Sequence, residues 1–306
     1  MFHLVARFLR AQGWKQWSVA QIETDSLVWW IFPPAARAPA MIGKLPRTPQ
    51  DTEIARREAA ALHALAPFAD RLNLPRLLFQ ADLEDGRFLF VQSGMAGCPL
   101  ADHADHFDRI LPWLDLFQTS VPGAGSMQDA VRDAVNQCRG KLPDLTPGEA
   151  QLLSAAQETA AQVAPLSATA VHGDFWTGNI LQDGERLAVV DWSNYHFGSP
   201  LEDLYNFAAA QGYESRGDLE ARMRSMWRVF FDDIPLMRRT RQATAWILAR
   251  RRISPERLRP LFILFLVHRI ACTEFSNHAA WRRFAERYVE SSMPEPFAVQ
   301  NLRHSP

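Results

Sequence analysis

Three cysteines, Cys98, Cys138 and Cys272, lie far apart in a chain of 306 residues. That spacing excludes a disulfide framework and a cysteine-built metal site. Sparse thiols of this kind are expected in a reducing compartment, the cytoplasm, as buried bystanders. No apolar run is long enough to cross a bilayer, since the longest, Leu261 to Val267, falls far short of the ~20 residues required. Met1 to Trp14 has no small-residue cleavage site after its apolar residues, so it is expected to be a short packed helix and not a signal peptide. Charge of one sign is missing as well. A net charge of -1 creates no global attraction to nucleic acid or membrane. Lysine is scarce: only Lys15, Lys44 and Lys141 stand in a chain otherwise rich in arginine. A lysine retained in such a background is a candidate for work a guanidinium does not do, such as meeting a phosphate as a compact ammonium.

What remains is the composition of a folded globular chain, 47% hydrophobic and 22% charged. Ser18 to Glu23 and Leu27 to Phe32 read as a strand pair around Thr24, Asp25 and Ser26. Ala40 to Leu45 reads as a third strand carrying Lys44 near its end. Thr48 and Pro49 open a helix on which Ile54, Ala61, Leu62 and Leu65 recur at helical spacing. Glu58 lies on the same inward stripe, where a carboxylate needs a partner. Asp85-Gly86 is a turn ahead of the apolar strand Phe88 to Val91. Glycines and proline between Gly94 and Pro99 break the periodicity, which places a boundary between a small lobe, residues 1–93, and a larger one, residues 94–306. Beyond it the chain reads as mainly helical. Thr146-Pro147-Gly148-Glu149 is a capping-box start, and a small β island spans roughly residues 168–191.

The chemistry concentrates in His172-Gly173-Asp174-Phe175-Trp176-Thr177-Gly178-Asn179, followed twelve residues after Asn179 by Asp191 at the end of an apolar strand. A loop carboxylate, an amide five residues on and a second carboxylate returned by a hairpin give one group free to meet a hydroxyl. The other two are hard oxygen ligands of the kind Mg²⁺ prefers. His172 is expected to hold the loop by hydrogen bonding. Trp176, Trp192 and Tyr195 can stack on a substrate or pack in the core.

This segment resembles the catalytic and metal-binding loops of the aminoglycoside-phosphotransferase/choline-kinase superfamily, which is protein-kinase-like in fold. His172, Gly173, Asp174, Asn179 and Asp191 match its pattern in order and spacing, and Pro200 and Asp203 fit its continuation. The likeness covers roughly residues 18 to 210. It implies an α+β, two-lobed fold, with a small antiparallel sheet in the first lobe and a mainly helical second lobe. It implies an ATP- and Mg²⁺-dependent kinase acting on a hydroxylated small molecule, with GTP as the other possible donor. Asp174 would be the catalytic base, and Asn179 and Asp191 the metal ligands. Lys44 and Glu58 would be the pair that steadies the nucleotide phosphates, and Gln92, Ser93, Gly94 and Met95 the segment facing adenine. Asp203 would support from behind and not bind metal. The turn before Leu27 departs from the family in having no glycine, so Ser26 would contribute a hydroxyl and nearby amides there. That departure raises an alternative, a nucleotide-binding pseudokinase that docks partners through its basic C-terminal helices. The arginines at 238, 239 and 241 and at 250 to 252 read as a solvated helix face, or as a sign of an anionic acceptor. They form no recognisable nucleic-acid module.

Overall fold

The computed structural model describes residues 2–23, 26–101, 106–213, 217–272 and 278–297; the Thr24-Asp25 turn lies outside them. Contacts divide the chain into two compact units. The first is formed by residues 1–101 and 177–195, the second by residues 102–176 and 196–306. The hairpin that carries Asn179 and Asp191 therefore belongs with the N-terminal sheet, and the loop of Asp174 with the helices.

The first unit is built on a five-stranded antiparallel sheet in the order β1-β2-β3-β5-β4. Its strands are β1 (Ser18–Glu23), β2 (Ser26–Phe32), β3 (Met41–Pro46), β4 (Leu77–Asp82) and β5 (Phe88–Ser93). Period-two alternation gives the sheet two different faces. On one, Met41, Leu45, Leu89 and Val91 join Trp29 and Ile31 beneath Val5 and Leu9 of helix α1 (Phe2–Ala11). The other, carrying Lys44 and Phe90, packs against helix α2 (Thr52–Leu65). The N-terminal segment is thus a packed helix, as its apolar stripe required.

The expected start of α2 is corrected in detail. Pro49–Asp51 forms a turn of 3-10 helix ahead of α2; Thr48 stands at its N-cap position but makes no side-chain cap bond, its hydroxyl donating instead to Asp51 Oδ2 at 2.6 Å. A short helix α3 (Ala69–Leu72) leads into β4. Past β5, the short strand β6 (Cys98–Pro99) pairs with β8 (Ile180–Asp183), which in turn pairs with β9 (Arg186–Val189). Cys98 on β6 is exposed, against the expectation of a buried thiol, because a two-residue edge strand covers neither of its faces.

Gly94, directly after β5, is required by close approach. A Cβ there would stand 1.9 Å from the Pro39 carbonyl oxygen, while the Gly94 N–H donates to Ala40 O at 2.7 Å. Gly94→Ala is expected to lower unfolding free energy in urea by about 1–3 kcal/mol, as overpacking against rigid backbone does. Gly140, helical and with nothing within 4 Å of an added Cβ, is the control. There alanine is expected to stabilise by ~0.4–1 kcal/mol. Equal effects at the two sites would refute the packing argument.

The second unit is helical apart from β7 (Thr169–Val171) paired with β10 (His196–Gly198), a strand the sequence reading did not contain. Its helices are α4 (Phe107–Ser120), α5 (Met127–Lys141), α6 (Pro147–Val163), α7 (Glu202–Gly212), α8 (Leu219–Phe231), α9 (Pro235–Arg251), α10 (Leu258–Ala271) and α11 (His278–Glu290). Thr146 and Glu149 form the complete capping box expected of them. α10 is apolar nearly all round and is buried among α5, α6 and α11, with Phe262 and Phe265 meeting Phe230, Trp281 and Phe284. The run Leu261 to Val267 is therefore a core helix. No described helix is long and apolar enough to cross a membrane.

Candidate functional site

In the first unit, Lys44 is the organising group. Strand alternation turns it toward α2, and its Nζ donates to both carboxylate oxygens of Glu58, at 2.7 and 2.8 Å. Glu58 is 3% exposed, so the pair is a desolvated one whose geometry is bidentate. Asp191 Oδ1 lies 3.7 Å from the same ammonium. Burial works against the charge on Lys44, but Glu58 and Asp191 together hold its pKa above the ordinary lysine value. Burial also pushes the Glu58 carboxyl up to about 7, against the pull of Lys44 and with a further push from Asp191.

Asp191 follows β9 in the left-handed region, at φ 66. That conformation is costly for a side chain other than asparagine, aspartate or glycine, and it turns the carboxylate out of the strand. The carboxylate is 43% exposed and accepts from Ser193 Oγ at 3.3 Å. Asn179, buried at the end of the turn Thr177–Asn179, is tied to the returning strand, its carbonyl accepting from the Val190 N–H at 3.0 Å. The hairpin thus fixes the amide and the carboxylate at the adjoining ends of neighbouring strands, twelve residues apart in sequence. Its turn is closed by Gly184, at φ 60. Trp192 is fully buried and donates its indole N–H to Val189 O, so it packs the core and is not a stacking surface.

Gln92 is buried within the sheet, and the Ser93 N–H donates to Arg76 O at 2.8 Å while Ser93 Oγ accepts from the Arg76 N–H at 2.8 Å. With the Gly94 N–H on Ala40 O, three of the four residues expected to face a base are committed to the sheet and its margin. Met95, half-buried, follows them. Ser26 opens β2 opposite Pro46.

In the second unit, the loop of Asp174 is held from both sides. The His172 and Gly173 N–H groups donate to the two oxygens of Asp203, at 2.8 and 3.0 Å, and the Asp174 N–H donates to His172 Nδ1 at 3.2 Å. His172 is thus an acceptor inside its own loop, fully buried. Asp203 sits in the first turn of α7, and burial raises its carboxyl to about 7 although both backbone bonds pull it down. Gly173, at φ 82, makes the bend, and its carbonyl accepts from Arg269 Nη1 at 2.9 Å and Asn206 Nδ2 at 3.3 Å. Phe175, fully buried, stacks on Trp113 with centroids 5.6 Å apart. Asp174 lies between these anchors, half-buried, and Trp176 beyond it is 43% exposed. Arg269 and Asn206 escaped the sequence reading. The one available signal for Arg269 was a charge inside the most apolar helix of the chain, which demands a buried partner.

Four of the C-terminal arginines have acidic neighbours. Arg250 and Arg251 meet Asp115 at 2.6 and 3.1 Å, Arg238 meets Asp233 at 2.7 Å, and Arg239 lies 3.7 Å from Asp108.

A sheet with a lysine-glutamate pair, a metal-type hairpin and a helical unit holding an aspartate loop define the protein-kinase-like class of phosphotransferases. A family model described as APH, the phosphotransferase enzyme family, matches residues 21–242. The chain belongs to that family, whose members are phosphotransferases with an alcohol group as acceptor. Solved structures share the fold. A thermostable mutant of aminoglycoside phosphotransferase APH(4)-Ia, in ternary complex with ADP and hygromycin B, is 15% identical with a TM-score of 0.61, over 95% of this chain and 99% of that one. Choline kinase from Cryptosporidium parvum Iowa II is 12% identical with a TM-score of 0.56, over 95% of each chain. Aminoglycoside phosphotransferase APH(3'')-Id from Streptomyces rimosus ATCC10970 is 19% identical with a TM-score of 0.51, over 87% of this chain and 97% of that one. No curated protein matches the sequence.

Proposed function

We propose that the protein is an ATP- and Mg²⁺-dependent small-molecule kinase that transfers the γ-phosphoryl group to a hydroxyl of a sugar, an amino alcohol or a related metabolite. The observation that carries this is Lys44, an ammonium held bidentately by buried Glu58 with Asp191 3.7 Å away. The approach of a second carboxylate to the ammonium supports this reading, since it sets a candidate phosphate-binding lysine beside a candidate metal ligand. In this reading Lys44, oriented by Glu58, meets the α- and β-phosphates. Asp174, on a loop whose neighbours are anchored through Asp203 and Arg269, accepts the proton of the acceptor hydroxyl as the phosphoryl group leaves ATP.

Asn179 and Asp191 would hold the metal. Both offer hard oxygens, and the Asp191 carboxylate is turned out of its strand by the left-handed backbone and remains accessible, which fits an ion that retains several waters. Mg²⁺ when bound neutralises charge on the phosphates. Engagement of Ser93 and Gly94 moves the base contact toward the backbone of Met95, with Gln92 as its support from the sheet, and Ser26 supplies a hydroxyl where the family usually has glycine. The nucleotide is supported by the ADP and AMP-PNP complexes of APH(4)-Ia, and a small hydroxylated acceptor by its hygromycin B complexes and by choline kinase. Acidic neighbours on the C-terminal arginines take support from an anionic acceptor. A cytoplasmic setting goes with three cysteines that form no disulfide.

The test is Mg²⁺-dependent ADP release with a panel of sugars, amino alcohols and aminoglycosides. At least one acceptor is expected to raise the rate over the acceptor-free background. Failure of the folded protein to bind Mg²⁺-ATP at millimolar concentration would defeat the kinase reading.

A further inference from the structure

Behind the loop of Asp174, three side chains from three elements of the second unit converge: His196 from β10, Glu202 from the first turn of α7 and His268 from α10. His196 Nε2 lies 3.1 Å from Glu202 Oε1, and His268 Nδ1 lies 2.7 Å from Glu202 Oε2. One donor atom from each residue falls within a span of 4.8 Å. The two rings stand edge to face, with centroids 4.7 Å apart. Glu202 and His268 are buried; the His196 side chain is 31% exposed, but its Nε2 is buried, so the donor atoms lie just beneath the surface.

We propose that His196, Glu202 and His268 form a binding site for a borderline transition-metal ion, Zn²⁺ in the first instance. Two imidazoles and one carboxylate are a recurrent zinc donor set, with a water in the fourth position. Bonds of about 2.0–2.1 Å at tetrahedral angles put ligand atoms roughly 3.3 Å apart; the two histidine–carboxylate separations of 3.1 and 2.7 Å are already near that value, and the 4.8 Å span of the set would contract on binding an ion. Space beside the donors is kept clear by Gly198. A Cβ at that position would stand 3.0 Å from Glu202 Oε2 and 3.1 Å from His196 Nε2. The charges also favour a cation. Glu202 places a buried carboxylate between the two imidazoles, and the cation of Arg269 is directed away to Gly173 O. A hard ion such as Mg²⁺ is the wrong partner for two imidazoles, which separates this site from Asn179 and Asp191. The ion would tie β10, α7 and α10 together one residue away from Asp203 and from Arg269, the two side chains that hold the loop of Asp174.

The test uses the full chain in a Cys98→Ser background, so that the exposed thiol offers no competing ligand. After dialysis against chelator, the protein is titrated with ZnCl₂ or CoCl₂, with MgCl₂ as control, and read by elemental analysis, the visible absorption of bound Co²⁺ and thermal unfolding. One equivalent of Zn²⁺ or Co²⁺ is expected, with a rise in Tm that Mg²⁺ does not give. Glu202→Gln and His196→Ala are each expected to abolish both. If Glu202→Gln does not fold, His196→Ala, at the exposed rim, decides. A folded wild type that takes up neither ion overturns the proposal and leaves a hydrogen-bonded carboxylate between two histidines; so does uptake that survives His196→Ala. Metal uptake is read without turnover, so it stands or falls separately from the kinase reading.

Discussion

Asp174→Asn is expected to reduce phosphoryl transfer by ~10²–10⁴-fold, the range for loss of a general base, while leaving the dissociation constant for Mg²⁺-ATP nearly unchanged. The substitution preserves volume. The bend of the loop has other anchors: Gly173 at φ 82, Asp203 on the His172 and Gly173 N–H groups, and Arg269 on the Gly173 carbonyl. The variant therefore tests chemistry with little change in structure. Wild type and variant are compared by ADP release with the best acceptor and by calorimetric titration with a nonhydrolysable ATP analogue. Turnover near the wild-type rate in the variant would remove Asp174 from the mechanism. Loss of nucleotide binding together with turnover would instead make it a binding residue.

The second large effect is expected at Asp191. Asp191→Asn should abolish the part of ATP binding that depends on Mg²⁺, because in the kinase reading the carboxylate that would hold the ion loses its charge. Asparagine is the informative choice. At φ 66 an alanine would add backbone strain of about 1–2 kcal/mol, and lost binding could then be lost folding. Asparagine occupies the left-handed region readily and keeps the hydrogen bond from Ser193 available. The measurement is the thermal shift given by ATP with and without Mg²⁺. Wild type is expected to show a larger shift with the metal and Asp191→Asn the same shift either way. A Mg²⁺-dependent increment that persists in the variant would assign the metal elsewhere.

Local pattern made much of this molecule legible. Strand alternation and the turn at Asp85-Gly86 yielded the sheet. The Thr146 cap and the helical stripe of Ile54, Glu58, Leu62 and Leu65 yielded helices in their observed places. These signals act within a few residues, where propensity and burial agree. The hairpin of Asn179 and Asp191 was legible for a related reason: a tight turn leaves the chain little freedom over where those two residues fall. Glu58 announced a partner because a carboxylate on an apolar stripe must have one, and Lys44 was the strand lysine at hand.

Other features were decided only when distant segments met. Cys98 is exposed because β6 became an edge, and Trp192 is fully buried with its indole N–H on Val189 O. β10 exists only by pairing with β7, some 25 residues earlier in sequence. Arg269 reaches Gly173 across 96 residues, and His268 reaches Glu202 across 66. No local periodicity encodes such contacts, since a helix interior shows where it is buried but not against what. The sequence by itself determined a family of elements and the order of a phosphoryl-transfer motif. The tertiary structure decided which buried charges would meet, because desolvation makes each of them depend on a partner that the chain supplies from far away.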